Sequence, residues 1–233
     1  MNRYDRIVST VLACAAVAFL AMIVKREVQF KQTPTQALNA ERLDSSEWAD
    51  ILRSAYIEGD TAHAVVLATF FDIECPFCRR SHQEIEKLYS EQRDSLTLAF
   101  VHFPLPQHSL ATTGARALEC TEDSRAYLSL LKVLYDRQGK LDPMNWRGYA
   151  WEAGVKDTVA FEDCMRSSRS LPKVDQGKAV GSRIGVTGTP FVVVNGWKFS
   201  LPPSDSILRA SITNIRQGKH PLTGETLSSS SLR

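Results

Sequence analysis

A buried strand that runs straight into a helix, with a cysteine at the join, constrains this chain more than any other feature. Ala64 to Phe71 is apolar and rich in β-branched and aromatic residues, the composition of a buried strand. Cys75-Pro76-Phe77-Cys78 follows almost at once. Pro76 suits the first position of a helix, where its missing N–H would have no partner anyway. Ile85, Leu88 and Tyr89 then repeat at helical spacing. Cys75 therefore sits at a helix N-terminus, where unpaired N–H groups and the positive end of the dipole favour a thiolate. Cys78 lies one turn further on, within reach of a mixed disulfide formed at Cys75. A nucleophile in front and a resolving thiol behind is what thiol–disulfide exchange requires.

Two other readings compete with redox chemistry. Zinc would need four ligands, normally two closely spaced pairs. The remaining cysteines, at positions 14, 120 and 164, are isolated, and His82 alone does not complete a site; it falls on the helix flank. The two cysteines could also be inert core thiols.

A second stretch lies far downstream. Gly185 to Gly196 reads as a turn, a proline, an apolar strand and an Asn-Gly hairpin signal. A proline just before an apolar strand is awkward in trans, and a cis X–Pro bond is the usual resolution. The segments Phe71 to Cys78, His102-Phe103-Pro104-Leu105-Pro106-Gln107-His108, and Gly188-Thr189-Pro190 leading into Val194-Asn195-Gly196 occur in that order. Together they resemble the DsbA-type thiol:disulfide oxidoreductases of the thioredoxin superfamily, over about residues 62–217. The resemblance implies an α/β chain, a thioredoxin fold with an all-helical block of about residues 109–184 inserted between the second and third core strands. It implies catalytic roles for Cys75 and Cys78. It places Thr189 and Pro190 opposite them as a backbone edge for a substrate peptide, with Pro76 and Phe77 also touching substrate. It implies no cofactor and no metal. Its expected partners are reduced or unfolded exported polypeptides and a quinone-linked membrane re-oxidase.

With 43% hydrophobic and 23% charged residues, the chain can bury one sizeable core plus appendages. A net charge of +2 argues neither for nor against nucleic acid, but no basic run is interleaved with aromatics, which argues against it. Ile7 to Val24 is a run of 18 uncharged, mostly apolar residues between Arg6 and Lys25. A spanning helix needs about 17–25 such residues, so residues 1–26 are expected to be an uncleaved membrane anchor. A signal sequence cut after Ala16-Val17-Ala18 is the alternative, and it would leave a periplasmic protein. Charges flanking the run are balanced and do not orient it. Redox chemistry does, because disulfide exchange belongs in an oxidising space. The expectation is a single pass in the cell membrane with the catalytic part on the periplasmic side.

Residues 27–60 read as a linker. Within it, Trp48, Ile51, Leu52 and Ala55 form the apolar stripe of a helix capped by serines at 45 and 46, expected to pack on the domain. The domain itself is expected over 61–217. Leu96 to Phe103 alternates as a strand. Helices are expected at about 110–121, 123–138, 143–153 after an Asp142-Pro143 start, 157–165 and 174–184. A hairpin at about 191–194 and 198–201 and a helix at 204–217 follow, and 218–233, with its run of serines, is expected to lack structure.

Cys120 and Cys164 both fall on helices of the inserted block. In an oxidising compartment two leftover thiols suggest a disulfide, and some members of the resembling family carry such a second, non-catalytic bond. Two buried free thiols are the alternative. One residue departs from the family pattern: Thr69 stands six positions before Cys75, where thioredoxin-type sites usually carry a buried carboxylate that relays a proton to the resolving thiol. Asp72 or Glu74 could take that part through water. The direction of exchange is left open. An oxidant fits the inserted block best. A reductase, an isomerase and a peptide-holding chaperone remain as alternatives.

Overall fold

The computed structural model describes residues 37–60, 62, 65–121 and 124–227, and of the N-terminal stretch only Val17, Phe19, Leu20 and Met22. The chain divides into two units, 1–37 and 38–233. In the first, those four residues are helical and exposed. The rest of Ile7 to Val24, with the alternative cleavage point, lies outside the described residues. Among the described residues no helix is long and apolar enough to cross a membrane.

The second unit begins inside the expected linker. Strand β1 (Ala40–Arg42) leads to helix α1 (Ser45–Ser54) and strand β2 (Tyr56–Glu58). Asp44, not a serine, caps α1: its side chain accepts from the Glu47 amide while Glu47 reaches back to the Asp44 amide. The core follows with β3 (Val65–Phe71), α2 (Pro76–Gln92) and β4 (Leu96–His102), then helices α3 (Ala111–Glu119), α4 (Ser124–Asp136), α5 (Trp146–Glu152), α6 (Thr158–Arg166) and α7 (Pro172–Arg183). Strands β5 (Phe191–Val194) and β6 (Trp197–Phe199) and helix α8 (Asp205–Arg216) complete it. The sheet order is β1-β6-β5-β3-β4-β2, with β3 and β4 parallel and every other pair antiparallel.

Each central strand is buried on both faces, which is why the sequence reads as continuous apolar runs. Val65, Leu67 and Phe71 of β3 join Leu96, Leu98 and Phe100 of β4 in a core with Ile85 and Leu88 of α2 and Leu208 and Ile212 of α8. Val66, Ala68 and Phe70 face the other way, toward Ile51 of α1 and Val180 of α7. The thioredoxin fold and its helical insert are as expected. The insert's far boundary is not, because α7 packs on β4 and α1 on the second face of the sheet. The inserted block is therefore α3 to α6. The expected start of α5 moves too. Asp142 accepts from the Met144 amide in a turn, and the helix begins at Trp146. Nor does Gly218 open a structureless tail. Lys219 pairs with Thr226, His220 lies against Trp197, and Leu222 and Leu227 pack on the core. Residues 228–233 lie outside the described residues.

The seat of α7 depends on a glycine. A Cβ at Gly177 would stand 2.5 Å from the carbonyl oxygen of His102, a backbone atom that cannot step aside alone. Alanine would gain roughly 1 kcal/mol of helix propensity. The clash outweighs it. We expect Gly177→Ala to lose about 1–3 kcal/mol net, read as a lower midpoint in urea, as overpacked cores do. An unchanged midpoint would mean that α7 slides on β4 freely.

Candidate active site

The turn between β3 and α2 is held by one carboxylate. Asp72 is buried, its Oδ1 accepting from the Glu74 amide and its Oδ2 from the Leu105 amide, each at 2.8 Å. The same Oδ2 lies 2.8 Å from Nδ1 of His108. Glu74 in turn accepts from the Leu110 amide. The two acids that precede Cys75 thus tie the turn to the 104–110 loop. The turn delivers Cys75 to the N-cap of α2 with Pro76 behind it. Amides of Cys78 and Arg79 point back to the Cys75 carbonyl at 3.1 and 3.2 Å.

Cys75 and Cys78 are free thiols in this structure. The Thr189–Pro190 bond is cis, and the Cys75 thiol donates to the Thr189 carbonyl at 3.2 Å across 114 residues of chain. Four of the residues expected at the site, Cys75, Cys78, Thr189 and Pro190, are thereby brought together. Pro76 takes the first helical position, and Phe77 beside it is 65% exposed, an apolar ring left in solvent between the two cysteines in sequence. Cys120 and Cys164 are bonded to each other across the insert, with Cα atoms 5.7 Å apart. They stand apart from this constellation.

The two thiols are driven in opposite directions. Cys75 is lowered from 9.0 to about 5. The largest cause is the hydrogen bond from the Cys78 thiol; burial opposes it, and the Thr189 side chain and the amides of Cys78 and Phe77 add to it. The Thr189 hydroxyl is buried and makes no hydrogen bond among the described residues. Cys78 is pushed far up, first by burial and then by its neighbour Cys75. One sulphur is thus ionised at neutral pH and the other holds its proton.

Behind Cys78 a small pocket is lined by Thr69, Phe71, His82, Phe100, Tyr135 and Pro190, among others. Thr69 occupies the place of the family's buried acid. His82, expected on the helix flank, is instead only 6% exposed and turned into this pocket. Tyr135 reaches it from α4 of the insert, and Gln138 in the turn after that helix donates to the Ile73 carbonyl at 2.9 Å. Neither role was visible in the sequence, although the four-residue step from Cys78 to His82 places both on one side of a helix. Among the described residues no cluster of three or more His, Cys, Asp or Glu side chains could hold a metal.

Comparison with known proteins agrees with this geometry. A family model described as thioredoxin matches residues 52–214. A Na(+)/H(+) antiporter, NhaA 1 of Mycolicibacterium vanbaalenii, is 30% identical over 159 residues, which are 66% of this chain and 26% of the antiporter. The chain therefore spans about a quarter of the length of the curated relatives it matches. Among solved structures, a thioredoxin-like oxidoreductase from Silicibacter pomeroyi superposes with a TM-score of 0.64 at 23% identity, covering 72% of this chain and 96% of that one. The thiol-disulfide exchange protein alpha-DsbA2 of Wolbachia pipientis gives 0.63 at 16% identity, covering 73% and 92%. At such identities the likeness is one of fold.

Proposed function

The chain belongs to the thioredoxin family, and from that premise we propose that it is an oxidant of thiols, exchanging its Cys75–Cys78 disulfide for dithiols in exported polypeptides. The observation that carries this reading is the pairing of a thiol lowered to about 5 with a cis-proline backbone edge 3.2 Å away. The steps follow from those two facts. A substrate thiolate attacks Sγ of Cys75, and the electron pair of the broken S–S bond moves to Cys78, which takes up a proton because burial disfavours its anion. A second substrate thiolate then attacks the substrate's own sulphur in the mixed disulfide. Cys75 departs as a thiolate, a good leaving group because its pKa is low. The substrate is oxidised to a disulfide and the enzyme is left reduced. Phe77, exposed beside the cleft, offers apolar contact to an unfolded chain, and the Thr189 carbonyl offers a backbone acceptor.

The oxidising direction rests on the thiolate. A shift from 9.0 to about 5 is worth roughly 5 kcal/mol when fully expressed, and screening by water in the cleft reduces it. The folded-state pKa is depressed, so this preference for the reduced form is fully present above about pH 9. It shrinks as pH falls and is gone once pH passes below about 5. Re-oxidation would fall to a quinone-linked membrane partner. The bonded Cys120–Cys164 pair supports an oxidising compartment, with the domain outside the cell membrane and residues 7–24 as its anchor.

The reduction potential of the Cys75–Cys78 pair against glutathione buffers tests the reading. We expect a value between about −180 and −120 mV, the range of oxidising members of the fold. A value near about −270 mV would make the protein a reductase. Between pH 5 and 8 the potential should fall by about 30 mV per pH unit, since two electrons are accompanied by one proton. A fall of about 59 mV per unit would mean that Cys75 is protonated throughout.

A further inference from the structure

The reaction leaves one proton unaccounted for, the one that Cys78 must lose whenever it attacks a mixed disulfide at Cys75. Burial first, and then the neighbouring sulphur, hold the thiol neutral and outweigh the help it gets from the Thr189 side chain and the Asp72 backbone. The pocket behind it contains few groups that could assist. Thr69 is a hydroxyl and does not titrate in the accessible range. The phenol of Tyr135 is raised well above its ordinary value by burial, so it can donate a hydrogen bond but cannot accept this proton. Asp72, the buried acid nearby, already accepts from the Glu74 and Leu105 amides and lies against His108, which leaves the imidazole of His82.

Its placement is specific. Cys78, His82 and Glu86 follow at four-residue steps along α2, so they form one stripe on the helix, with His82 between the other two. On one side Nε2 of His82 lies 3.4 Å from Glu86 Oε1. Both ring nitrogens are buried, and neither makes a hydrogen bond among the described residues, so Glu86 is an ion-pair neighbour of the ring and Nδ1 is uncommitted. The ring is held by Phe100 of β4 and Tyr135 of α4, with centroids 5.7 and 5.1 Å away. Lys132 and Asp136 of α4 face Glu86 at the outer end of the stripe, with Arg79 of α2 near Lys132, and Asp72 is the charged neighbour at the end nearer Tyr135 and Cys78.

We propose that His82 is the proton acceptor and donor for Cys78, oriented by Glu86, in the place where Thr69 has removed the family's buried acid. This rests on the exchange reading of the site. In the closing direction Nδ1 takes the Cys78 proton, and the sulphur's electron pair forms the bond to Sγ of Cys75. The bond from Cys75 to the partner's sulphur breaks, and that sulphur leaves as a thiolate. In the opening direction the imidazolium returns the proton to Cys78 as its sulphur departs. A carboxylate orienting a base that serves a thiol is the general arrangement of an activated nucleophile.

The test separates the two chemical steps. Reduced full-length protein is mixed with oxidised glutathione, quenched with acid at short times, and weighed by mass spectrometry, so that Cys75 glutathionylation and its loss by ring closure are read separately. We expect His82→Gln to leave the first step within about twofold and to slow ring closure by about 10²-fold, the usual size of one general-base contribution. Glutathionylated protein should therefore accumulate. In the parent protein the ring-closure rate should rise through neutral pH and level off, the mark of a protein base. A parent rate that rises tenfold per pH unit with no plateau, or a His82→Gln protein with the parent's rate and profile, overturns the inference. The parent profile alone decides it if the variant does not fold. If the parent never forms a mixed disulfide, the exchange reading itself fails and takes this inference with it.

Discussion

Replacing Cys75 by serine is expected to abolish exchange, by at least about 10³-fold in the oxidation of a reduced unfolded protein, because it removes the nucleophile and electrophile of both steps. Cys78→Ser is expected to behave differently. Cys75 still attacks a disulfide, since its donors from the amides of Phe77 and Cys78 and the Thr189 side chain remain. No resolving thiol follows, so protein–substrate mixed disulfides should persist on non-reducing gels. The largest single cause of the lowered Cys75 pKa is the Cys78 thiol, so a thiolate titration of Cys78→Ser should move upward from about 5 toward the ordinary range. Turnover in Cys75→Ser would remove the assignment. Mixed disulfides trapped through Cys78 instead would reverse the two roles.

The second large effect is on stability. Cys120 and Cys164 are 44 residues apart and bonded, closing α3 against α6 at the two ends of the insert. In the chain-entropy account a loop of that length removes about 4 kcal/mol from the unfolded state, although the partition between entropy and enthalpy is disputed. Cys120→Ser with Cys164→Ser should lower the melting temperature by roughly 8–16 °C for a domain of this size. Both residues stand outside the Cys75 cleft, so the first exchange step should persist below the new midpoint. A double variant that melts with the parent under oxidising conditions would show that the bond closes a loop the unfolded chain already keeps closed.

How much of this was legible in the sequence follows from how local each signal is. The Cys75-Pro76-Phe77-Cys78 junction, the cis proline and the Asn195-Gly196 turn are all set by a few adjacent residues, and each is found where the sequence put it. Both turn residues have positive φ, at 45° and 79°. The edge strands β1 and β2 were missed because three residues carry no periodicity, and neither Ala40-Glu41-Arg42 nor Tyr56-Ile57-Glu58 has a composition that distinguishes it from a loop. Helix α7 was assigned to the insert because a helical pattern shows which side is apolar, not which layer that side meets. Asp142-Pro143 reads as a helix start, yet the Tyr149 hydroxyl takes the Asp142 amide at 2.7 Å and keeps the turn open until Trp146. His82 was set aside for a related reason. Its burial comes from Phe100 and Tyr135, which lie 18 and 53 residues away in the chain, and a single sequence does not show which distant side chains will cover a polar one.

The two short edge strands carry a consequence for a protein whose proposed partners are unfolded. An unfolded chain with exposed β-forming segments can template onto any sheet that presents a long row of unpaired amides and carbonyls. Here the four inner strands are fenced on both sides by pieces of the same preceding segment, β1 beyond β6 and β2 beyond β4, each only three residues long. Charged residues sit on both fences, Glu41 and Arg42 on one and Glu58 on the other. A client strand arriving at either flank finds a row too short and too charged to continue. Under the proposed function, the backbone contact offered to a client would be confined to the stretch before β5, next to the Cys75 sulphur, and the sheet would be protected from co-aggregating with unfolded chains.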